Sequence, residues 1–406
     1  MTEENKSVKK FPNLRFPGFE DSWEERKLGE IGELTSSKRI YLSDYVDDGI
    51  PFYRGKEISE LKQKIQPKDI LYISSQLYND YKIRYGVPEI NDILITAVGT
   101  LGNILVIKDK EPFYFKDGNL IWFKNIIFDS NFVAYLLEIN KKGIELSAIG
   151  SSQKALTMVE LKKLSFQFPS IAEQNKIASF LLFVDERIQT QKKIIEDLQL
   201  TKKEISFKLF KDGFNSSESK KRSLQKLGDV TYIVNKKNKE NLKLPVYSIN
   251  NKKGFVSQSE QFEGIDSDER GYDISLYKII DKETFAYNPA RINVGSIGYS
   301  GNLENIIISS LYVCFKTTDA VDDGFLFQYL RTDIFRKEVL RNVEGGVRDY
   351  LFYENFSRIK INLPDIKEQT KITKFLYKLD EKINLETELL TQYENQKKYL
   401  LQNLFI

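Results

Sequence analysis

The sequence predicts an α+β fold in two pseudo-symmetric halves, each a globular block followed by a long helix. Two observations carry this. A segment near the middle of the chain recurs near its end, with an apolar heptad stripe in both places. Ahead of each copy, short β-rich runs separated by glycine turns mix with stretches of helical spacing. With 406 residues, 41% of them hydrophobic, the chain can build two cores, since one core seldom grows past about 250 residues.

The repeat is read by sliding the chain 195 positions along itself, which sets PSIAEQNKIASFLLFVDERI (169–188) against PDIKEQTKITKFLYKLDEKI (364–383). Eleven of these 20 positions are identical, among them Glu173/Glu368, Gln174/Gln369 and Asp185-Glu186/Asp380-Glu381. Upstream, GSSQKAL (150–156) faces GGVRDYL (345–351), and KLGEI (27–31) faces KLGDV (226–230) at a slightly different offset. Between these anchors the halves diverge.

Each kept segment starts at a proline that ends an apolar strand-like stretch, FQFP and INLP, where a strand stops and a helix can begin. The spacing then turns heptad. Ile177, Leu181, Val184, Ile188, Ile195 and Leu198 form the first stripe; Ile372, Leu376, Leu379, Ile383, Leu390 and Tyr393 form the second. Both continue to the segment ends, through Leu209 and Leu404. Polar breaks at Gln191 and Lys202 match those at Glu386 and Lys397, so the stripes look made for each other. A run of about 33 residues makes a helix of about 50 Å, and so long a seam needs a partner helix. Packing on the helix's own domain is the competing reading, and parallel and antiparallel pairing both remain open.

In the globular blocks, 92–97, 103–107, 120–123 and 306–308 read as strands, while 129–140 and 323–341 carry helical spacing. The Gly-, Ser- and charge-rich stretch 211–223 reads as a linker.

Composition excludes several function classes. Lys and Arg outnumber Asp and Glu by only 61 to 58, so nucleic acid could be held only by a local patch, not by bulk charge. The absence of histidine removes Ser-His-Asp and Cys-His triads and His-ligated zinc. The lone Cys314 sits in an apolar run and reads as a buried structural thiol in a reducing compartment. No run approaches the roughly 18 apolar residues of a membrane span, and a soluble cytoplasmic protein is expected.

Three features suit a ligand-facing surface. The glycine loops ITAVGTLGN (95–103) and NPARINVGSIGYSGN (288–302) could bring backbone N–H groups to a phosphate, though neither has the Lys-Ser/Thr of a P-loop. The turns GSSQK (150–154) and GGVR (345–348) present Gln153, Lys154 and Arg348; glutamine can bond adenine and arginine guanine, and an ordinary polar loop looks the same. YRGKEI (53–58) and YNDYKIRY (78–85) interleave basic and aromatic residues, as a phosphate-binding face or a solvated strand edge would. No catalytic motif stands out. NPAR at Asn288 resembles an amino-methyltransferase tetrad, but Ala290 and Arg291 replace the residues that would hold and stack the base. Asp185-Glu186 and Asp380-Glu381 are the duplicated acidic pairs, read as solvated or partner-facing.

The order LRFPGFEDSWEERKLGEI, then a variable block closing on GSSQKAL and FP, then IAEQNKIASFLLFVDERI, followed by a second such set, resembles the specificity subunits of type I restriction-modification systems over nearly the whole chain. The resemblance implies an N-terminal segment (1–22), target-recognition domains at 23–168 and 223–363, spacer helices at 169–211 and 364–406 forming an antiparallel coiled coil, and a linker at 212–222. It implies that each domain reads half of a split double-stranded DNA site. Two modification subunits bearing S-adenosylmethionine would dock on the helices, ATP- and Mg-dependent restriction subunits would join them, and this chain would hold no cofactor, metal or catalytic residue. The expected DNA contacts are Arg54, Lys56, Arg84, Thr96, Thr100, Ser151, Ser152, Gln153 and Lys154 in the first domain, and Arg291, Asn293, Ser296, Tyr299 and Arg348 in the second. A coiled-coil scaffold without DNA specificity is the competing class, and a self-sufficient DNA enzyme a third.

Overall fold

In the computed structural model the described residues are 11–150, 154–211, 222–261, 271, 273–343 and 350–406. The chain divides into two compact units, 1–191 with 389–406, and 192–388. Each unit therefore joins a globular block, part of the helix that follows it, and part of the other long helix.

The two blocks share one plan. In the first, strand Glu24–Lys27 runs into KLGEI, which makes one helical turn, Leu28–Ile31, and the strand pairs antiparallel with Ser165–Phe168. In the second, KLGDV repeats this with Ser223–Lys226, Leu227–Val230 and strand Lys360–Leu363. The chain ends of each block are thus stapled together just before its long helix leaves.

Behind the staple lies a four-stranded antiparallel sheet. Its order is Glu33–Thr35, Leu120–Lys124, Ile93–Thr96, Ile104–Val106 in the first unit and Thr231–Ile233, Val313–Thr317, Phe285–Tyr287, Ile297–Tyr299 in the second. A second four-stranded sheet in each unit contains one parallel pair, Ile50–Tyr53 with Tyr114–Phe115 and Val246–Asn250 with Ile306–Ile308, but the remaining strands differ. The expected strands are all present. Helical spacing over 129–140 becomes helix Ser130–Ile139, whereas 323–341 breaks into Asp323–Leu330 and Asp333–Asn342, because Thr332 caps the second helix by accepting from Phe335 N at 3.2 Å.

The long helices are Ile171–Lys211, 41 residues, and Ile366–Asn403, 38 residues, longer than the heptad runs alone indicate. Within each unit they run antiparallel. In the first, Asp185 meets Lys397 and Arg187 stacks over Tyr393; in the second, Lys202 meets Asp380. All twelve heptad residues named above are buried or half-buried. Ile177, Leu181, Ile372 and Leu376 belong to the domain cores, so both packing readings hold in turn: the first turns of each helix cover its own domain, and the seam continues as an antiparallel coiled coil. Cys314 is buried, and burial pushes its thiol up to about 11.

Candidate nucleic-acid interface

In the first unit three stretches meet at the end of strand Ile93–Thr96. Val98 bridges Ala155, and Leu156 N–H donates to the Ala97 carbonyl at 2.9 Å. Asn103 Nδ2 donates to Ser59 Oγ at 2.8 Å, and a Cβ on Gly55 would stand 3.9 Å from both Thr96 Cγ2 and the Val98 carbonyl. The glycine loop, Ala155-Leu156 and the YRGKEI stretch thus lie together. Ile149 and Ala155 exchange backbone bonds at 2.9 Å. Ser151, Ser152 and Gln153 lie outside the described residues; Lys154 is exposed beside them.

The individual residues differ in what they present. Thr100 is exposed at the loop tip, but Thr96 is fully buried: its hydroxyl bonds the Thr100 carbonyl and accepts from Asn103 N at 2.8 Å. Gly102 N–H donates to the Thr96 carbonyl at 2.9 Å, so the loop spends the N–H groups of Gly102 and Asn103 on its own shape. Arg54 is committed as well. Its Nε and Nη2 lie 3.1 and 2.5 Å from Glu57, which is 1% exposed. Burial pushes the Glu57 carboxyl up, but the Arg54 bonds outweigh it and hold that group below its ordinary value. Lys56 is exposed, with Glu60 and Asp69 at 3.8 and 3.6 Å. The YNDYKIRY stretch is neither strand nor strand edge: it is helix Ser75–Tyr85, whose Tyr78 fills a satellite core while Arg84 pairs with Asp80 at 2.9 Å.

The second unit repeats the arrangement. Leu351 N–H donates to the Pro289 carbonyl at 3.1 Å, the counterpart of Leu156 with Ala97, so Leu351 is tied to the NPAR loop. Arg348 lies outside the described residues. Asn288 Oδ1 accepts from Ala290 N at 3.0 Å, which spends the NPAR asparagine on a turn. Arg291 is exposed and Asn293 half-buried on this loop. Two other candidates point inward. Ser296 is 1% exposed, and Tyr299 donates to Asp323 Oδ2 at 2.7 Å while packing 4.6 Å from the Phe285 ring. Burial, then the hydrogen bond to Asp323 and its charge, raises the Tyr299 hydroxyl above its ordinary range. Both shape the site from within.

The repeated Glu-Gln pair is a hinge pin between domain and helix. Glu173 receives Arg15 Nε and Nη2, both at 2.8 Å, and Glu368 receives Arg222 at 3.1 Å. Gln174 donates to Pro169 O at 2.9 Å and accepts from Asp129 N at 3.1 Å; Gln369 does the same with Pro364 and Asp322, at 2.9 and 2.8 Å. The acidic pairs need correction too. Asp185 accepts from Tyr135 Oη and Lys397 Nζ, each at 2.6 Å, and is a structural tie rather than a solvated position; Glu186 and Glu381 are exposed. The periodicity also hid a pair of plugs. Leu404-Phe405 enters the first unit's core, and its equivalent 195 residues earlier, Leu209-Phe210, enters the second's.

Among the described residues no group of three or more Cys, Asp or Glu could hold a metal ion, and no helix is long and apolar enough to cross a membrane.

Two equivalent heads with divergent loops, each carried on a constant helix, define a class of modular recognition proteins. The family model for the type I restriction modification DNA specificity domain matches residues 20–200 and again 217–395, so the chain belongs to that family. It is 26% identical over 404 residues to a protein named as the type I restriction enzyme MjaX specificity subunit of Methanocaldococcus jannaschii, covering 94% of this chain and 92% of that one. Over 158 residues, 38% of each chain, it is 34% identical to a protein named as specificity subunit S.HindORF215P of Haemophilus influenzae. The fold is similar to the crystal structure of a type I restriction-modification S subunit from M. genitalium, with TM-score 0.59, 18% identity and coverage of 98% of this chain and 99% of that one.

Proposed function

We propose that this chain is the sequence-reading subunit of a type I restriction-modification assembly, in which each globular unit reads one half of a split duplex DNA site and the helices set the distance between the halves. The observation that carries the reading is the repeated loop cluster. In both units a glycine-bearing loop and the segment ahead of the block's last short helix are tied by one backbone bond, Leu156 to Ala97 and Leu351 to Pro289, while the loop residues themselves diverge. A kept frame with varied loops is what independent readers of two base sequences require. Lys56 and Lys154 in the first unit and Arg291 in the second are exposed charged candidates at the two clusters, with Thr100 and Asn293 on the same loops. Thr96, Ser296 and Tyr299 hold the loops in shape.

On this reading the chain itself carries no catalysis. Two modification subunits dock on the helices and bring S-adenosylmethionine, restriction subunits bring ATP and Mg, and the complex works on DNA in the cytoplasm. Mapping methylated bases in cells that express this chain with its modification subunit tests the proposal. A motif of two defined halves around an undefined spacer is expected; methylation with no dependence on this chain would overturn it in favour of a scaffold.

A further inference from the structure

We infer that Lys252 and Lys253, in the turn between strands Val246–Asn250 and Gly254–Ser257, hold the DNA phosphate backbone beside the base-reading loop of the second unit. This rests on the DNA-reading function proposed above and adds a binding element to it.

The turn is built rather than loose. Asn250 Oδ1 accepts from the N–H groups of Lys252 and Lys253 at 2.9 and 3.2 Å, an Asx-type turn that fixes the backbone from which both side chains leave. The hairpin also presses on the loop that carries Arg291. Ser296 donates to the Ile249 carbonyl at 3.4 Å, and the Asn251 carbonyl is 3.8 Å from where a Cβ on Gly295 would stand. At Gly298 a Cβ would stand 3.0 Å from Ile249 and Phe255 side-chain atoms, so the hairpin lies closely against this glycine. Turn and base-reading loop therefore form one ridge.

That ridge has uncompensated charge. Lys252, Lys253 and Arg291 are all exposed, and no carboxylate pairs with them among the described residues. The exposed arginines on this unit's helices behave differently: Arg336, Arg341 and Arg358 are each matched by an acid three or four positions away. An ammonium is a compact point charge that suits a phosphate, whereas guanidinium can address a guanine edge bidentately. The division of labour follows: the two lysines position the duplex without regard to its sequence, and Arg291 reads it.

The test uses the full chain assembled with its modification subunits and two duplexes, one containing the methylated motif and one scrambled. In Lys252→Gln/Lys253→Gln both duplexes bind more weakly, and the slope of log affinity against log salt falls by about 1.8, or about 0.9 for each phosphate that is no longer neutralised. The methylated motif is unchanged, and Lys252→Arg/Lys253→Arg restores the slope. A salt slope equal to that of the unaltered complex, or a changed motif, overturns the inference. If the unaltered complex fails to prefer its motif over the scrambled duplex, it is the function proposal that falls, and the lysine assignment falls with it.

Discussion

Lys202 Nζ lies 2.6 Å from Asp380 Oδ1, joining the two long helices within the second unit, and the residues 195 positions away, Lys397 and Asp185, make the same contact at 2.6 Å in the first. The polar breaks in the heptads are therefore the site of a repeated cross-helix tie. Asp380 also accepts from Gln328 Nε2 at 2.8 Å, as Asp185 does from Tyr135, so each tie holds the domain helix too. Burial lowers the Lys202 ammonium's pKa, and Asp380 pulls it back up.

Asp380→Ala should destabilise the second unit by about 1–3 kcal/mol, because a half-buried ammonium and an amide lose their acceptor. Lys202→Met should cost less, and the double variant less than the sum, with a coupling of about 1–2 kcal/mol in urea unfolding. Strict additivity would show that the pair is incidental.

Phe405 stacks 5.0 Å from Phe132, and Phe210 sits 5.1 Å from Phe325. Phe405→Ala should cost about 3–5 kcal/mol in the first unit, and Phe210→Ala a similar amount in the second. Hydrogen exchange reads this: amides of Ile93–Thr96 lose protection in the former and those of Phe285–Tyr287 in the latter. Unchanged protection at Ile93–Thr96 in Phe405→Ala would remove the plug from the account.

Asp92, 8% exposed, accepts on one oxygen from Trp122 Nε1 at 2.7 Å and Glu89 N at 2.9 Å. Burial pushes its carboxyl above the usual range despite these bonds. Between the unfolded and folded pKa values the folded state binds the extra proton, so this group's contribution to stability falls as pH rises through the folded value. Asp92→Asn keeps an acceptor oxygen and removes the charge. The variant should match or exceed the parent at pH 7 and lack that component of the acid-range pH dependence; a variant less stable than the parent at pH 7 contradicts it.

How far these features were legible follows from the range of the contacts involved. Heptads are local, so the seam and its matching polar breaks could be read from Ile177 to Leu209 and from Ile372 to Leu404, whereas the antiparallel sense of the pairing could not. What lies beyond the last heptad could not. Phe405 finds Trp23 and Phe132, hundreds of residues away, and no periodicity encodes that. The loop cluster was legible as glycine pattern, but not which side chain faces out: Thr96 and Thr100 share a loop, and only the strand end decides that the first is buried. Tyr299 looked available because its acceptor, Asp323, lies across the fold.

The helices offer a geometric prediction. Inserting four residues, about one 5.4 Å turn, in both helices should lengthen the undefined spacer of the methylated motif by about one to two base pairs at roughly 3.4 Å each. An unchanged spacer would show that the helices do not set the distance.

The most direct test of the central claim is exchange of residues 23–168 for the equivalent block of a relative with a different motif, followed by sequencing of methylated bases in cells expressing the hybrid with its modification subunit. Change confined to one half of the motif, with the other half and the spacer intact, is predicted. Change in both halves, or in neither, would contradict a protein built from two independent readers on one frame.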